Sequence, residues 1–345
     1  MAKLRTLLAS IALLALQSGC AKVSYLTQAA AGQAELLDRK QPIDKLVHEG
    51  WLDTRTRRLL AHVSAIKTFG EAHGLKHTNN YREYVQLDRP NVVWVLSASE
   101  PLAFASKEWT FPITGSITYL GYFHREDAER EGARLRREGW DVDVRGASAY
   151  STLGWFDDPV LSSMIYDGDE ALGELADVIL HESTHATLFI PGQSILNESI
   201  AAFVGNTLAG EYLDQTVGPC SREKRAYMAI EAKAKKRALA MKAAFFQLRA
   251  LYTSGASDDD KRKRKAEILA PLHSQTRVVN NATLIQYETY GSGEAELARL
   301  FEACGRSWPR WMRTLREAKS IFAKLPSHED ASAALGPVLA AGCAR

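Results

Sequence analysis

His181-Glu182-Ser183-Thr184-His185, embedded in the apolar run from Ala171 to Phe189 and followed across Ile190-Pro191-Gly192-Gln193-Ser194 by Asn197-Glu198-Ser199-Ile200-Ala201, decides how the rest of this chain is read. Two histidines four apart on a helix lie on one face, one turn above the other, so both imidazoles reach a single ion. Glu182 stands beside the first and can take a proton from water held there. Leu172, Leu175, Ala176, Val178, Ile179, Leu180, Ala186 and Leu188 supply apolar surface around the motif, which predicts a helix from Ala171 to Phe189. Asp169, Glu170 and Glu174 near its start suit the positive end of the helix dipole.

Pro191 and Gly192 break that helix, and Ser194 is expected to cap a second one running from Ile195 to about Tyr212. His185 then lies about four residues before the first helix ends, and Glu198 about four after the second begins. At 1.5 Å per residue each stands about 6 Å from the connection, so two antiparallel helices bring Glu198 level with His185. The expected ligands of one zinc ion are therefore His181, His185 and Glu198, with Glu182 as catalytic base. Three protein ligands leave the fourth position for water and substrate, as a catalytic zinc site requires.

Working outward, the chain before the motif divides by composition. Residues 1–19 carry Lys3 and Arg5, the apolar run Leu7 to Leu16, and Gln17-Ser18-Gly19 ahead of Cys20, which reads as an export signal too short to remain as a membrane-spanning helix. Residues 20–90 read as a helical lead-in, with Leu59, Leu60, Val63, Ile66 and Phe69 at helical spacing. Residues 91–170 read as the β-rich part, with strands at Val92 to Leu96, Trp109 to Ile113, Ile117 to Leu120 and Asp141 to Val144, a charged helix from Arg125 to Glu138, and an edge strand near Tyr150 to Phe156. Residues 171–326 read as the helical catalytic part, including a charged helical hairpin at about 221–272 whose second helix Ser257 caps. Residues 327–345 form a tail. The fold class expected is α+β, a small mixed sheet packed on a mainly helical body.

Charge narrows the partners. Loss of residues 1–19 removes Lys3 and Arg5 and no acid, so the 43 basic residues fall by two and equal the 41 acidic ones. A neutral chain gives no electrostatic support for a nucleic-acid partner. Cys220, Cys304 and Cys343 lie far apart and form no CxxC pair, so a disulfide is permitted in an oxidising compartment but its pairing stays open.

Small residues before a lone cysteine resemble the lipobox of bacterial lipoproteins, although Gln17 stands where an apolar residue is usual. That resemblance implies a lipid anchor on Cys20 and, with Ala21 following, a periplasmic protein tethered to the outer membrane of a Gram-negative bacterium. His181 to His185 followed by Asn197-Glu198-x-x-Ala201 resembles the gluzincin metallopeptidases. More closely, Ala29 to Leu37, Ser151-Thr152-Leu153-Gly154-Trp155-Phe156-Asp157-Asp158-Pro159, the metal motif and Val279-Asn280-Asn281-Ala282 resemble the bacterial family of predicted lipoproteins named "putative aminopeptidase". This resemblance implies a zincin-like fold, one zinc ion and a peptide or protein substrate. It also implies a tyrosine or histidine donor for the developing oxyanion, for which Tyr287 is favoured over Tyr290, with His273 and Arg277 as weaker candidates read rather as surface residues. The spacing from His185 to Glu198 is shorter than in thermolysin-like enzymes, and Ala202 stands where those enzymes often carry an aspartate that orients a histidine. Asp177, one turn before His181, is expected to be an exposed helix carboxylate.

The remaining expectations concern substrate. Zincins usually present an edge strand to extended substrate, which places Leu153, Gly154 and Trp155 against it, Gly154 permitting close backbone approach. Asp157 and Asp158 offer a carboxylate for a free amine. Two alternatives stand beside this reading. One is an endopeptidase of unfolded envelope proteins; the other is a non-catalytic zinc-binding envelope lipoprotein, for which the carboxylate of Glu182 has no use.

Overall fold

Val93–Ser99 grows from the β-branched run that begins at Val92 and forms the centre of an antiparallel sheet between Tyr119–Tyr122 and Asp141–Ala147. The computed structural model describes residues 24–111, 115–149, 157–275, 277–326 and 329–344. Cys20 and the expected substrate-strand residues Leu153, Gly154 and Trp155 lie outside the described residues. The chain is mainly helical α+β with small sheets, in two units interleaved in sequence.

The first unit takes the chain through Arg39, then Asn91–Ala147 and Ala244–Ile285. Its register sets Leu96 opposite both Leu120 and Val144, which makes one apolar face across three strands. Helix Arg125–Arg137 covers that face, burying Ala128, Gly132 and Leu135 on a single stripe. The expected strand Ile117 to Leu120 is corrected: Gly115–Ile117 pairs with Trp109–Phe111 in a separate ribbon, while Tyr119–Tyr122 joins the sheet. Arg277 is also corrected. Its Nη2 donates to Asp143 Oδ2 at 2.6 Å, and Asp143 is only 5 % exposed, so the guanidinium neutralises a buried strand carboxylate.

The second unit takes Lys40–Pro90, Ser148–Ala243 and Gln286–Arg345. Helix Thr54–Ala72 starts on Asp53, whose carboxylate accepts from the Arg55 and Thr56 N–H groups. The histidine helix, Ala171–Thr187, buries Leu175, Ala176, Ile179 and Leu180, and the glutamate helix, Ser194–Thr216, buries Ile200, Ala201, Val204 and Leu208. At roughly 1.5–3 kcal/mol per large aliphatic side chain, these stripes supply the force that fixes the two helices together. A small mixed sheet sets Glu83–Val85 antiparallel to Gln41–Pro42 and parallel to Val160–Leu161. Helix Arg222–Tyr252 lies in this unit through Ala243. Helices Glu294–Ala303, Trp308–Glu317 and Ala331–Ala341 follow, and Cys304 and Cys343 form a disulfide. Cys220 is an exposed free thiol. No helix among the described residues is long and apolar enough to cross a membrane.

Candidate metal centre

The connection between the histidine and glutamate helices sets the site. The first helix ends at Thr187, two residues sooner than its sequence suggests, because Leu188 turns to an extended φ of −141°. The residue before the second helix is Gln193, without a side-chain cap, and Ser194 is the first helical residue rather than the cap. Asn197 does the closing instead. It is 3 % exposed, its Oδ1 accepts from the Ile190 N–H at 3.0 Å, and its Nδ2 donates to the Ile190 carbonyl at 2.9 Å. This clamp ties both backbone groups of a buried turn residue to the first turn of the helix, at the residue immediately before Glu198.

His181, His185 and Glu198 converge. His181 Nε2 and His185 Nε2 are 3.2 Å apart, Glu198 Oε1 lies 3.4 Å from His185 Nε2, and Glu198 Oε2 lies 3.5 Å from His181 Nε2. Ligands at 2.0–2.2 Å in a tetrahedron around zinc are separated by about 3.3–3.6 Å, close to the separation of the two imidazole nitrogens and of each from its nearer Glu198 oxygen, the two carboxylate contacts being made by different oxygens. Two imidazole nitrogens and a carboxylate are a donor set suited to zinc and its first-row neighbours. The group can hold a metal ion.

The surrounding electrostatics agree with an unmet need for positive charge. Burial pushes Glu182 above the ordinary carboxylate range, the two histidines oppose that rise, and Glu198 and Asp158 add to it. Its Oε2 is buried with no hydrogen-bond partner, a condition that ordinarily costs about 1–3 kcal/mol. For Glu198 partial desolvation acts upward, but hydrogen bonds from His181 and His185, then their charge, hold it well below the usual range. Burial acts downward on His181, and Glu198 and Glu182 together outweigh it and raise its pKa. Glu198 is the open edge of the group, 66 % exposed against 24 % for His181 and 10 % for His185.

A cavity of about 260 Å³ begins at His181 and Glu182 and runs back along the histidine helix past Val178 and Asp177 to Glu174, with Ser148, Met164 and Tyr166 opposite. Asp177 is not the exposed carboxylate that its sequence position suggests. Burial, then the charge of Glu231, push it up to about 7, with His181 opposing. Burial and neighbouring carboxylates likewise raise Glu174. Burial raises Glu231, whose hydrogen-bonding neighbour is the Asn206 side chain. Tyr227 is 1 % exposed and its ring lies over Gly173, where a Cβ would stand 2.5 Å from ring carbon Cγ. Its hydroxyl faces Asp177, Glu231 and Glu174 without a hydrogen bond of ordinary geometry. Gly205 of the glutamate helix makes room for Asp177, since a Cβ there would stand 2.3 Å from Asp177 Oδ1 and 3.1 Å from His181 Cβ.

Sequence reasoning gives no site role to Asn197, although it stands in the Asn197-Glu198 motif, nor to Glu174 beyond the helix start, and Tyr227 and Glu231 belong to no motif. It also missed Tyr81, a bulky residue at φ 63° that is 4 % exposed, donates its N–H to the Asp158 carbonyl at 2.6 Å and lies in the field of Glu182. A left-handed backbone at a bulky residue is uncommon and clusters at functional sites. Asp158 is buried, and its N–H donates to Asn80 Oδ1. Tyr287 packs against Tyr290 with ring centroids 6.3 Å apart, and it is not one of the residues of the group that can hold a metal ion.

No curated protein and no solved structure matches the chain. A family model does: the one described as "Putative aminopeptidase" matches residues 24–331, which include both helices of the histidine and glutamate group. With nearly its whole length matched, the chain belongs to that aminopeptidase family.

Proposed function

We propose that the protein is a zinc-dependent peptidase with a zincin-like arrangement of its metal helices, acting as an aminopeptidase. The observation that carries this reading is the triangle of His181 Nε2, His185 Nε2 and the Glu198 carboxylate, with edges of 3.2–3.5 Å, beside the unpartnered buried oxygen of Glu182. Family membership supports a peptide as the substrate. A non-catalytic metal site has no need of a desolvated carboxylate without a partner.

Zinc bound by these three residues supplies Lewis acidity to water and to the scissile carbonyl. The chain's own work is proton handling. Glu182, pushed above the usual carboxylate range and close to both histidines, takes a proton from the attacking water and delivers it to the departing amine. Glu198, held anionic, would offset the charge of a bound ion, while His181, whose protonated form Glu198 and Glu182 favour, has to give up that proton to serve as a ligand. The same reading places Tyr287 as a donor to the oxyanion and Leu153, Gly154 and Trp155 along the substrate, on the strength of the family resemblance. It also places the protein in the bacterial envelope, exported and tethered through Cys20; the disulfide between Cys304 and Cys343 is consistent with an oxidising compartment.

The test is metal analysis of the purified protein together with a peptide-library assay of wild type and Glu182→Gln. One zinc per chain is expected in both proteins, with cleavage reduced by about 10²–10⁴-fold in the variant. Equal cleavage by Glu182→Gln removes that residue from its role, and wild-type protein that binds no zinc removes the reading altogether.

A further inference from the structure

Residues 24–38 form a helix whose polarity is reversed. Its inward face makes polar bonds. The Tyr25 hydroxyl accepts from the Gly121 N–H at 3.2 Å, Gln28 Nε2 donates to the Gly121 carbonyl at 3.0 Å, and Gln28 Oε1 accepts from the Phe123 N–H at 3.1 Å. These backbone groups lie along the outer edge of strand Tyr119–Tyr122, which among the described residues no further strand covers, so the helix closes that edge. Gly32 lets it sit close, since a Cβ there would stand 2.1 Å from Phe123 Cγ.

The outward face is apolar. At about 100° per residue Leu26, Ala30, Ala34 and Leu37 fall within about 80° of one another, with Thr27 and Ala31 beside them. Leu26 is 51 % exposed and Leu37 38 %, and the three alanines are exposed as well. No charged residue stands between Ser24 and Ala34. The first, Glu35, pairs with Arg39 at 2.8 Å, and Asp38 lies at the far end. Tyr119, on the strand that the helix covers, adds an exposed ring. A surface helix ordinarily turns its apolar stripe inward, so a face of this kind is built for an apolar cover.

The chain ahead of the helix identifies the cover. Cys20 stands four residues before Ser24, and four residues span at most about 14 Å. With a lipid anchor on Cys20, the start of the helix is held within that distance of the headgroups. The face is too small for a second copy of the chain: a helix about 22 Å long and about 10 Å wide offers roughly 220 Å², against about 800 Å² per partner in a stable dimer. An uncharged apolar face suits the boundary between headgroups and acyl chains, into which interfacial helices insert by about 5–10 Å, and tyrosine favours the same level. Because the contact adds to an anchor, a small area suffices. We propose that the outward face of residues 26–37 docks on the lipid bilayer as a second point of attachment beside the anchor, so that the helix lies along the membrane surface. The assignment rests on the anchored-envelope reading and is independent of the peptidase reading.

Photo-crosslinking tests it on the full mature chain. The purified protein is bound to vesicles of phosphatidylethanolamine and phosphatidylglycerol containing a lipid with a diazirine on its acyl chain. After irradiation and digestion, mass spectrometry locates the labelled residues. Label is expected on Leu26, Ala30, Ala34 and Leu37 and none on the charged helix Arg125–Arg137 of the same unit. A tether alone brings only the near end of the helix to the lipid, so label at Ala34 and Leu37, about 12 and 17 Å beyond Leu26, carries the result. In Leu26→Glu/Leu37→Glu the label at Ala30 and Ala34 is expected to be lost while the anchor keeps the protein on the vesicles. An unchanged Tm shows that this variant folds, and if it does not, Ala34→Glu carries the same comparison. Label confined to residues ahead of Leu26, label that survives in the folded variant, or a face covered instead by a second copy in sedimentation overturns the proposal. The mass of the N-terminal peptide tests the anchor separately. A Cys20 without lipid removes the anchor reading by itself, and its thiol coupled to a maleimide lipid then supplies the tether, so that the same labelling still decides the face.

Discussion

Glu198 is the ligand that a cation needs most and that the fold holds least. Its side chain is 66 % exposed, and what fixes it is the pair of imidazoles at 3.4 and 3.5 Å. Without Glu198 the two histidine nitrogens 3.2 Å apart remain, and two ligands hold zinc far more weakly than three. Glu198→Ala is therefore expected to fold but to be purified with well under one zinc per chain. A ligand at a hundred times its Kd stabilises by about 2.7 kcal/mol, so adding zinc and then chelator should move the wild-type Tm up and down. The Tm of Glu198→Ala should stay nearly still. A variant that retains both full zinc content and the chelator response would show that another group completes the site. The group of His181, His185 and Glu198 was legible in the sequence because helical periodicity sets the two histidines on one face, and helical rise counted outward from the Pro191-Gly192 break brings Glu198 level with them. Asp177 was not legible. Its burial depends on Gly205 and Tyr227, which approach it from two other helices, and no local pattern records such an approach.

At the scale of elements the site depends on a turn rather than on either helix alone. Both hydrogen bonds of the Asn197 side chain go to the backbone of Ile190, which is itself fully buried. Asn197→Ala strands the Ile190 N–H in a buried place, at about 1–3 kcal/mol, while the Ile190 carbonyl keeps the Gln193 N–H at 3.1 Å. The expected loss is therefore about 1–3 kcal/mol, read from the urea midpoint at unchanged m-value, together with weaker zinc binding as Glu198 is released. Asn197→Asp keeps the acceptor for the Ile190 N–H and loses the donor to its carbonyl, so it should fall between. A loss below about 0.5 kcal/mol in Asn197→Ala would show that the clamp does not hold the turn. Ser194 was the expected cap because hydroxyl side chains favour that position, but the capping work passed to an amide inside the helix, where tertiary packing decides. The long helices were readable for the reason the ligands were. The strands at Gln41–Pro42 and Val160–Leu161 were not, since two residues carry no alternation to detect.

Over the whole molecule, the family match ends at residue 331, while the disulfide ties Cys304 to Cys343 beyond it. The pairing could not be read from three scattered cysteines, because it follows from the packing of helix Glu294–Ala303 on helix Ala331–Ala341. Cys304 closes the first of these helices and is fully buried, Cys343 follows the second, and Cys220 is left exposed. The cross-link closes a loop of 39 residues, for which the chain-entropy account gives about 4 kcal/mol from constraint of the unfolded state. Part of the tail's attachment survives reduction, because the Thr314 hydroxyl accepts from the Ala344 N–H at 3.0 Å and the helices keep their apolar contact. Reduction should therefore lower stability without abolishing the fold. At about 2–4 °C per kcal/mol for a chain of this order of size, the expected fall in Tm is about 10 °C. Thermal unfolding followed by circular dichroism, with and without a phosphine reductant, measures it directly. Cys343→Ser should already show the lower Tm and respond no further to reductant, whereas Cys220→Ser should behave as wild type. If wild type keeps its Tm after mass spectrometry shows the bond reduced, helix packing alone holds the C-terminal segment, and the bond reports on the compartment rather than on stability.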